Sequence, residues 1–257
     1  MPDTSSVPVL DRATALVRFL RANCSWDAAQ TPASLVPYLL EEAHEVAHAI
    51  AKHDETGLAD ELGDLLLNVA FQLVLAEERK TFTAETVVSG LEQKMRRRHP
   101  HLYGDGPPEP WEALKAKERS NHDPAASLLD GIAPGLDALS RAQRIQDRAS
   151  GVGFDWKEPR GAFDKIREEV DEVGAHLHGP ADTHALEEEL GDLLFSVVNL
   201  TRLTGGHALN ALQRANAKFE RRFRSLETEA RKRNLALENT SLEDMDRLWD
   251  EVKRKET

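Results

Sequence analysis

A single cysteine, Cys24, stands among 257 residues, which excludes an internal disulfide framework and any cysteine zinc cage. A lone thiol suits a reducing cytoplasm. The N-terminus lacks a basic-then-apolar leader, and no run of eighteen apolar residues occurs, so a cytoplasmic location without a membrane partner is expected. Aromatic residues are scarce at 5%, whereas hydrophobic residues reach 40%; a core of packed aliphatic helices fits both figures. Positive charge is also short, with 33 Lys and Arg against 45 Asp and Glu and a formal net charge of −12. That balance argues against nonspecific binding to nucleic acid or membrane phosphates. An acidic chain can still handle a polyphosphate if metal ions and a few basic side chains neutralise it locally.

What the chain does have is helical periodicity almost throughout. The pattern predicts helices over 11–21, 35–52, 58–78, 83–98, 111–120, 139–149, 160–178, 183–203, 208–233 and 241–253, and an all-α fold. Ser25-Trp26-Asp27 and Gly153-Phe154-Asp155-Trp156 read as loops, and Pro100 stops the fourth helix. Thr83 is an expected N-cap, and Ser241-x-x-Asp244 resembles a capping box. Two domains are expected, 1–121 and 137–257, joined by a linker over 122–136.

The halves repeat one another. Glu41-Glu42-x-x-Glu45 followed by Glu61-x-x-Asp64 returns as Glu168-Glu169-x-x-Glu172 followed by Glu189-x-x-Asp192. The offset is nearly constant, 127 from Glu41 to Glu168 (168 − 41) and 128 from Asp64 to Asp192 (192 − 64). Carboxylates three residues apart share a helix face and repel one another. At about 100° per residue, Glu61, Asp64 and Asn68 form one stripe, while Leu62, Leu65, Leu66, Val69 and Leu73 form another. A connection of about five residues makes the 35–52 and 58–78 helices antiparallel neighbours, so two acidic stripes can face one another across a groove. Gly63 and Gly191 interrupt good helices, which suggests close helix approach. A solvated acidic face is the ordinary reading of such charge; its recurrence in register favours a divalent cation, required twice. Hard oxygen ligands select magnesium or manganese, and the chemistry becomes metal-assisted phosphoryl or nucleotidyl hydrolysis.

Lys94-Met-Arg-Arg-Arg98 returns as Lys218-Phe-Glu-Arg-Arg222. Lys94 with Arg98, and Lys218 with Arg222, lie four apart on one face and could hold phosphate oxygens. The first run reads equally well as a helix-terminal cluster favoured by the macrodipole. His44-Glu45-x-x-His48 matches the H-E-x-x-H signature of zinc metalloproteases. The second copy, however, has Asp171 and Ala175 in the histidine positions and keeps only the glutamate, Glu172.

With these motifs the chain resembles, over nearly its full length, the long, two-domain form of the MazG family of nucleoside triphosphate pyrophosphohydrolases. Ser25-Trp26-Asp27, Arg97-Arg98-His99-Pro100-His101, Val152 to Trp156 and Lys218 to Phe223 extend the likeness. The resemblance implies two tandem helical-bundle domains and hydrolysis of a nucleoside triphosphate to monophosphate and pyrophosphate, with broad base tolerance. It also implies assembly as a homodimer. Magnesium would be held by Glu42, Glu45, Glu61 and Asp64 in one half and by Glu169, Glu172, Glu189 and Asp192 in the other. Glu41, Glu45, Glu168 and Glu172 are the implied catalytic carboxylates, with Glu41 and Glu168 orienting the attacking water. Lys218 and Arg222 would grip phosphates. Trp156 and Asn199 are candidates for base contact, as are Trp249 and Lys253; core packing is the competing role for each tryptophan.

The copies differ where substrate would sit. Asn199 corresponds to Phe71, Glu220 to Arg96, and the order Asp155-Trp156 to Trp26-Asp27. The second half is therefore expected to be the better catalyst. A metal-stabilised nucleotide sensor without turnover is the alternative from another class, and zinc proteolysis through His44, Glu45 and His48 is a more remote one.

Overall fold

The computed structural model describes residues 8–104, 106–109, 111, 114–115, 117–118, 127–178 and 182–255. Every regular element among them is helical. The chain divides into two compact units, Met1–Pro108 and Glu109–Thr257.

In the first unit, α1 (Val9–Asn23), a short α2 (Ser25–Ala29), α3 (Val36–Lys52) and α4 (Glu55–Glu78) form the packed body. α4 receives α1 on one side and α3 on the other. Val17, Leu35, Ala70, Phe71, Val74 and Leu75 make the core. Arg18 Nη2 donates to Glu77 Oε2 at 2.6 Å, and Arg21 reaches both oxygens of Glu78 at 2.8 Å. These ion pairs lie at the rim and fix register more than they stabilise. Arg21 also donates to the carbonyl of Asp27 at 2.7 Å, which holds the Ser-Trp-Asp segment as a helical turn where the sequence suggested a loop.

The α3–α4 connection is tighter than expected. His53 adopts a left-handed conformation (φ 55) and Asp54 accepts from Gly57 N. That N-cap starts α4 at Glu55, so only two residues separate the helices. α5 (Ala84–Arg98) begins at the expected Thr83 cap and ends before Pro100. Pro100 then opens a further turn, α6 (Pro100–Tyr103), because proline suits the first helical position. Of the helix expected over 111–120, residues 112–113, 116 and 119–120 lie outside the described residues, as do 122–126 of the expected linker.

The second unit repeats the plan with α7 (Ala138–Ser150), α8 (Pro159–His178), α9 (Thr183–Leu203), α10 (Ala208–Lys232) and α11 (Leu242–Lys255). Asp137 and Asp182 cap α7 and α9. α8 and α9 form the closest pair, and α7 packs across α9 and α10. Gln143 fastens the α9–α10 turn, donating to Gly206 O at 3.4 Å and accepting from Ala208 N at 3.0 Å. Leu226, Ala230, Leu248 and Val252 seal α10 to α11. The expected Ser241 cap forms, with Asp244 N donating to Ser241 Oγ at 3.2 Å.

Gly63 and Gly191 do not mark close approach within the chain. A methyl group built on either would meet no atom within 4 Å. Leu62 and Val69, assigned to the apolar stripe, are 48% and 42% exposed. Leu73 of that stripe is buried as expected, but so is Asn68 from the acidic stripe, and the buried face extends through Ala70, Phe71 and Val74, rotated toward α1 because α1 supplies covering side chains.

Candidate active site

Both acid sets converge as helix geometry demands. In the first unit, carboxylate oxygens of Glu42 and Glu45 on α3 and Glu61 on α4 lie within 4.8 Å of one another. Desolvation and the charges of Asp64, Glu45 and Glu61 raise the proton affinity of Glu42. Glu61 is raised by desolvation, then by Glu45 and Asp64. Asp64 therefore belongs to the same electrostatic cluster. Glu41 is exposed and contributes the weakest of these charge effects on Glu42.

In the second unit the converging group is Glu169 on α8 with Glu189 and Asp192 on α9, again within 4.8 Å. Glu172 belongs to the same electrostatic group: desolvation and then the Glu169 charge raise its proton affinity. Hard carboxylate oxygens crowded to this degree repel unless protonated or bridged by a cation, and they fit a magnesium or manganese ion by chemistry and number. Among the described residues, neither His44 nor His48 takes part in such a group; both are exposed.

One residue in this cluster escaped the sequence reading. Lys165 Nζ lies 2.7 Å from Glu168 Oε1 and 2.6 Å from Glu169 Oε1. Hydrogen bonds to Glu168 and Glu169 push its pKa well above the ordinary lysine range. Its position three and four residues before two glutamates was the available signal. The first copy has Tyr38 there (165 − 127), so the two clusters differ in built-in countercharge.

The second cluster opens into a cavity of about 680 Å³. Glu169, Asp192 and Lys165 line it together with Trp156, Asn199 and Arg202. Trp156 is held against Gly161, where an added Cβ would come within 2.3 Å of the indole. Arg202 Nη2 donates to Asp155 Oδ1 at 2.7 Å and to Asn199 Oδ1 at 2.6 Å. At the corresponding places the first unit has Phe71 (199 − 128) and Val74 (202 − 128), both sealed in its core.

The remaining candidates lie elsewhere. Lys218 is exposed and Arg222 half-buried on α10, and neither is among the cavity's lining residues. Lys94 and Arg98 are half-buried on α5. Trp249 packs beside the α10–α11 core, with its ring 5.2 Å from that of Phe219. Lys253 pairs with Asp250 at 2.7 Å.

A family model described as the MazG nucleotide pyrophosphohydrolase domain matches residues 30–103 and again 158–226. The chain is 44% identical over 233 residues to the nucleoside triphosphate pyrophosphohydrolase/pyrophosphatase MazG of Thermotoga maritima, covering 90% of this chain and 89% of that protein. It is 43% identical to the nucleoside triphosphate pyrophosphohydrolase of Escherichia coli (strain K12), with 96% and 98% covered. A nucleoside triphosphate pyrophosphohydrolase of Mycobacterium tuberculosis is 34% identical over 60% of this chain and 48% of its own length.

Proposed function

Because this chain belongs to the MazG nucleotide pyrophosphohydrolase domain family, we propose that its second unit hydrolyses nucleoside triphosphates to monophosphate and pyrophosphate with magnesium, or manganese in its place. The observation that carries this reading is a single cavity lined at once by Glu169 and Asp192 and by Trp156 and Asn199. Acids suited to a cation thereby share a space with groups suited to a base, and a triphosphate spans the two.

Glu169, Glu172, Glu189 and Asp192 would hold the magnesium ion, which when bound supplies charge neutralisation at the phosphates. Glu168 orients a water toward the α-phosphorus. The water oxygen bonds to that phosphorus, the bond to the bridging oxygen breaks, and pyrophosphate leaves. Glu172, the second catalytic carboxylate of this half, takes the proton released. Lys218 and Arg222, outside the cavity's lining, would meet the outer phosphates where the triphosphate extends past it. In the first unit, Glu42, Glu45, Glu61 and Asp64 would hold a second ion, with Glu41 and Glu45 in the corresponding catalytic roles. The filled core at Phe71 and Val74 supports a weaker, largely structural contribution from that half.

The functional halves run over 1–121 and 137–257. A homodimer is part of the reading: Leu190, Leu194 and Val197 on α9 are 42%, 61% and 42% exposed, an apolar stripe suited to a second copy. No described helix is long and apolar enough to cross a membrane, and a cytoplasmic location is proposed.

The decisive assay incubates the protein with the eight common ribo- and deoxyribonucleoside triphosphates and magnesium, and measures pyrophosphate. Release from several bases is expected. Orthophosphate instead would mean cleavage elsewhere on the chain of phosphates, and no turnover at high enzyme concentration would favour a sensor.

A further inference from the structure

Phe154 is 83% exposed, the most exposed large apolar side chain among the described residues. Its backbone, by contrast, is fixed. Gly153 N donates to Ser150 O at 2.9 Å and Phe154 N donates to Ala149 O at 3.1 Å, with Gly153 in the left-handed region at φ 87. These paired bonds close the C-terminus of α7 around a glycine. An apolar residue directly after such a glycine commonly packs back on the last helical turn. The Phe154 ring stays open to solvent instead.

The residues that follow are pinned as well. Asp155 Oδ1 accepts from Arg202 Nη2 at 2.7 Å and from Trp156 N at 2.9 Å. A fixed loop therefore presents an uncovered aromatic ring to the cavity, which Phe154 lines together with Ala149, Phe195, Glu169 and Asp192. The first unit treats the same place differently. Aligned on its aspartate (155 − 128 = 27), it carries Trp26 where the second unit has Phe154. The Trp26 ring is engaged edge to face by Tyr38 at 6.1 Å, whereas Phe154 meets no other ring among the described residues.

Resting on the triphosphate reading above, we propose that Phe154 is a further substrate-binding residue, whose ring stacks on the face of the nucleobase while the phosphates reach the acids of the same cavity. Every base has a π-face, so a stacking ring holds purines and pyrimidines alike and separates them only by the area they cover. The pinned loop leaves little backbone freedom to lose on binding, which lowers the cost of forming the stack. Tolerance for different bases then has a source in this chain that requires no hydrogen bond to a base edge.

The test compares nucleotides with a substrate that has no base. Pyrophosphate release by the full-length protein is measured with ATP, GTP, CTP, UTP and ribose triphosphate, and calorimetric binding of the same compounds is measured in calcium. Phe154→Ala should raise KM about tenfold for ATP and GTP, the scale of one lost base stack, and less for the smaller CTP and UTP. Little change in kcat is expected, and ribose triphosphate should be handled as by wild type. Phe154→Tyr keeps the ring and should restore the nucleotide KM values. Unchanged KM values, or equal losses for nucleotides and ribose triphosphate, would overturn the proposal. So would a fall in oligomeric state of Phe154→Ala on sedimentation, which would place the ring against a second copy. Base-dependent weakening of binding in calcium, without pyrophosphate release in magnesium, would sustain it while removing the hydrolytic reading.

Discussion

Lys165 Nζ sits 2.6 Å from Oε1 of Glu169, a side chain only 4% exposed. The ammonium neutralises a buried carboxylate that would otherwise be expensive to ionise. It also occupies the cluster that a cation would enter, so lysine and metal compete for the same oxygens. Replacing Lys165 with Met should destabilise the metal-free protein by about 1–3 kcal/mol. Magnesium should recover most of that loss and should bind the variant more tightly than it binds wild type. Thermal unfolding in EDTA and in a magnesium series reads both effects; equal losses with and without magnesium would show that the lysine merely packs.

The two acid clusters should differ in what they contribute to turnover. Glu172→Ala removes a carboxylate coupled by charge to Glu169, which lines the cavity, and should lower kcat for pyrophosphate release by about 100-fold or more. Glu45→Ala alters a cluster whose unit fills the Asn199 and Arg202 positions with buried Phe71 and Val74. Its effect on kcat should stay within about threefold, well under the loss expected from removing a proton-transfer group. The reverse ranking would assign catalysis to the first half.

Crowded acids also set a pH dependence of stability. Glu61 has its proton affinity raised by desolvation, Glu45 and Asp64. A carboxyl that binds its proton more tightly in the folded state stabilises the fold at acidic pH, and loses that contribution as pH rises through its folded pKa. Metal-free Glu61→Gln should therefore melt higher than wild type near neutral pH, and the gap should close as pH falls into the ordinary carboxylate range. Comparing the two proteins cancels groups shifted the other way, such as Asp137, which its hydrogen bonds to Ser140 lower. Saturating magnesium should reverse the order, because the glutamine offers no anionic ligand. A constant gap across pH would exclude Glu61 from the cluster.

Helices were legible where apolar period and caps agreed, as at Thr83 and Ser241. Misreadings came where a tertiary contact decided. Arg21 holds the Asp27 carbonyl and makes a helical turn of an apparent loop. α1 selects which face of α4 is buried. The glycine beside each acid pair suggested close packing, yet open space surrounds it.

The acid positions were determined by sequence alone, because residues three apart on a helix must share a face and the pattern occurs twice. Their union across two helices followed from a short connection. Lys165 had a visible spacing but no visible purpose until its ammonium met Glu169. Nothing in the linear chain joined Asp155, Arg202, Asn199 and Gln146, which come from a loop and two helices. Only packing of α7 on α9 brought Gln146 to the Phe195 carbonyl and gathered these side chains around one cavity.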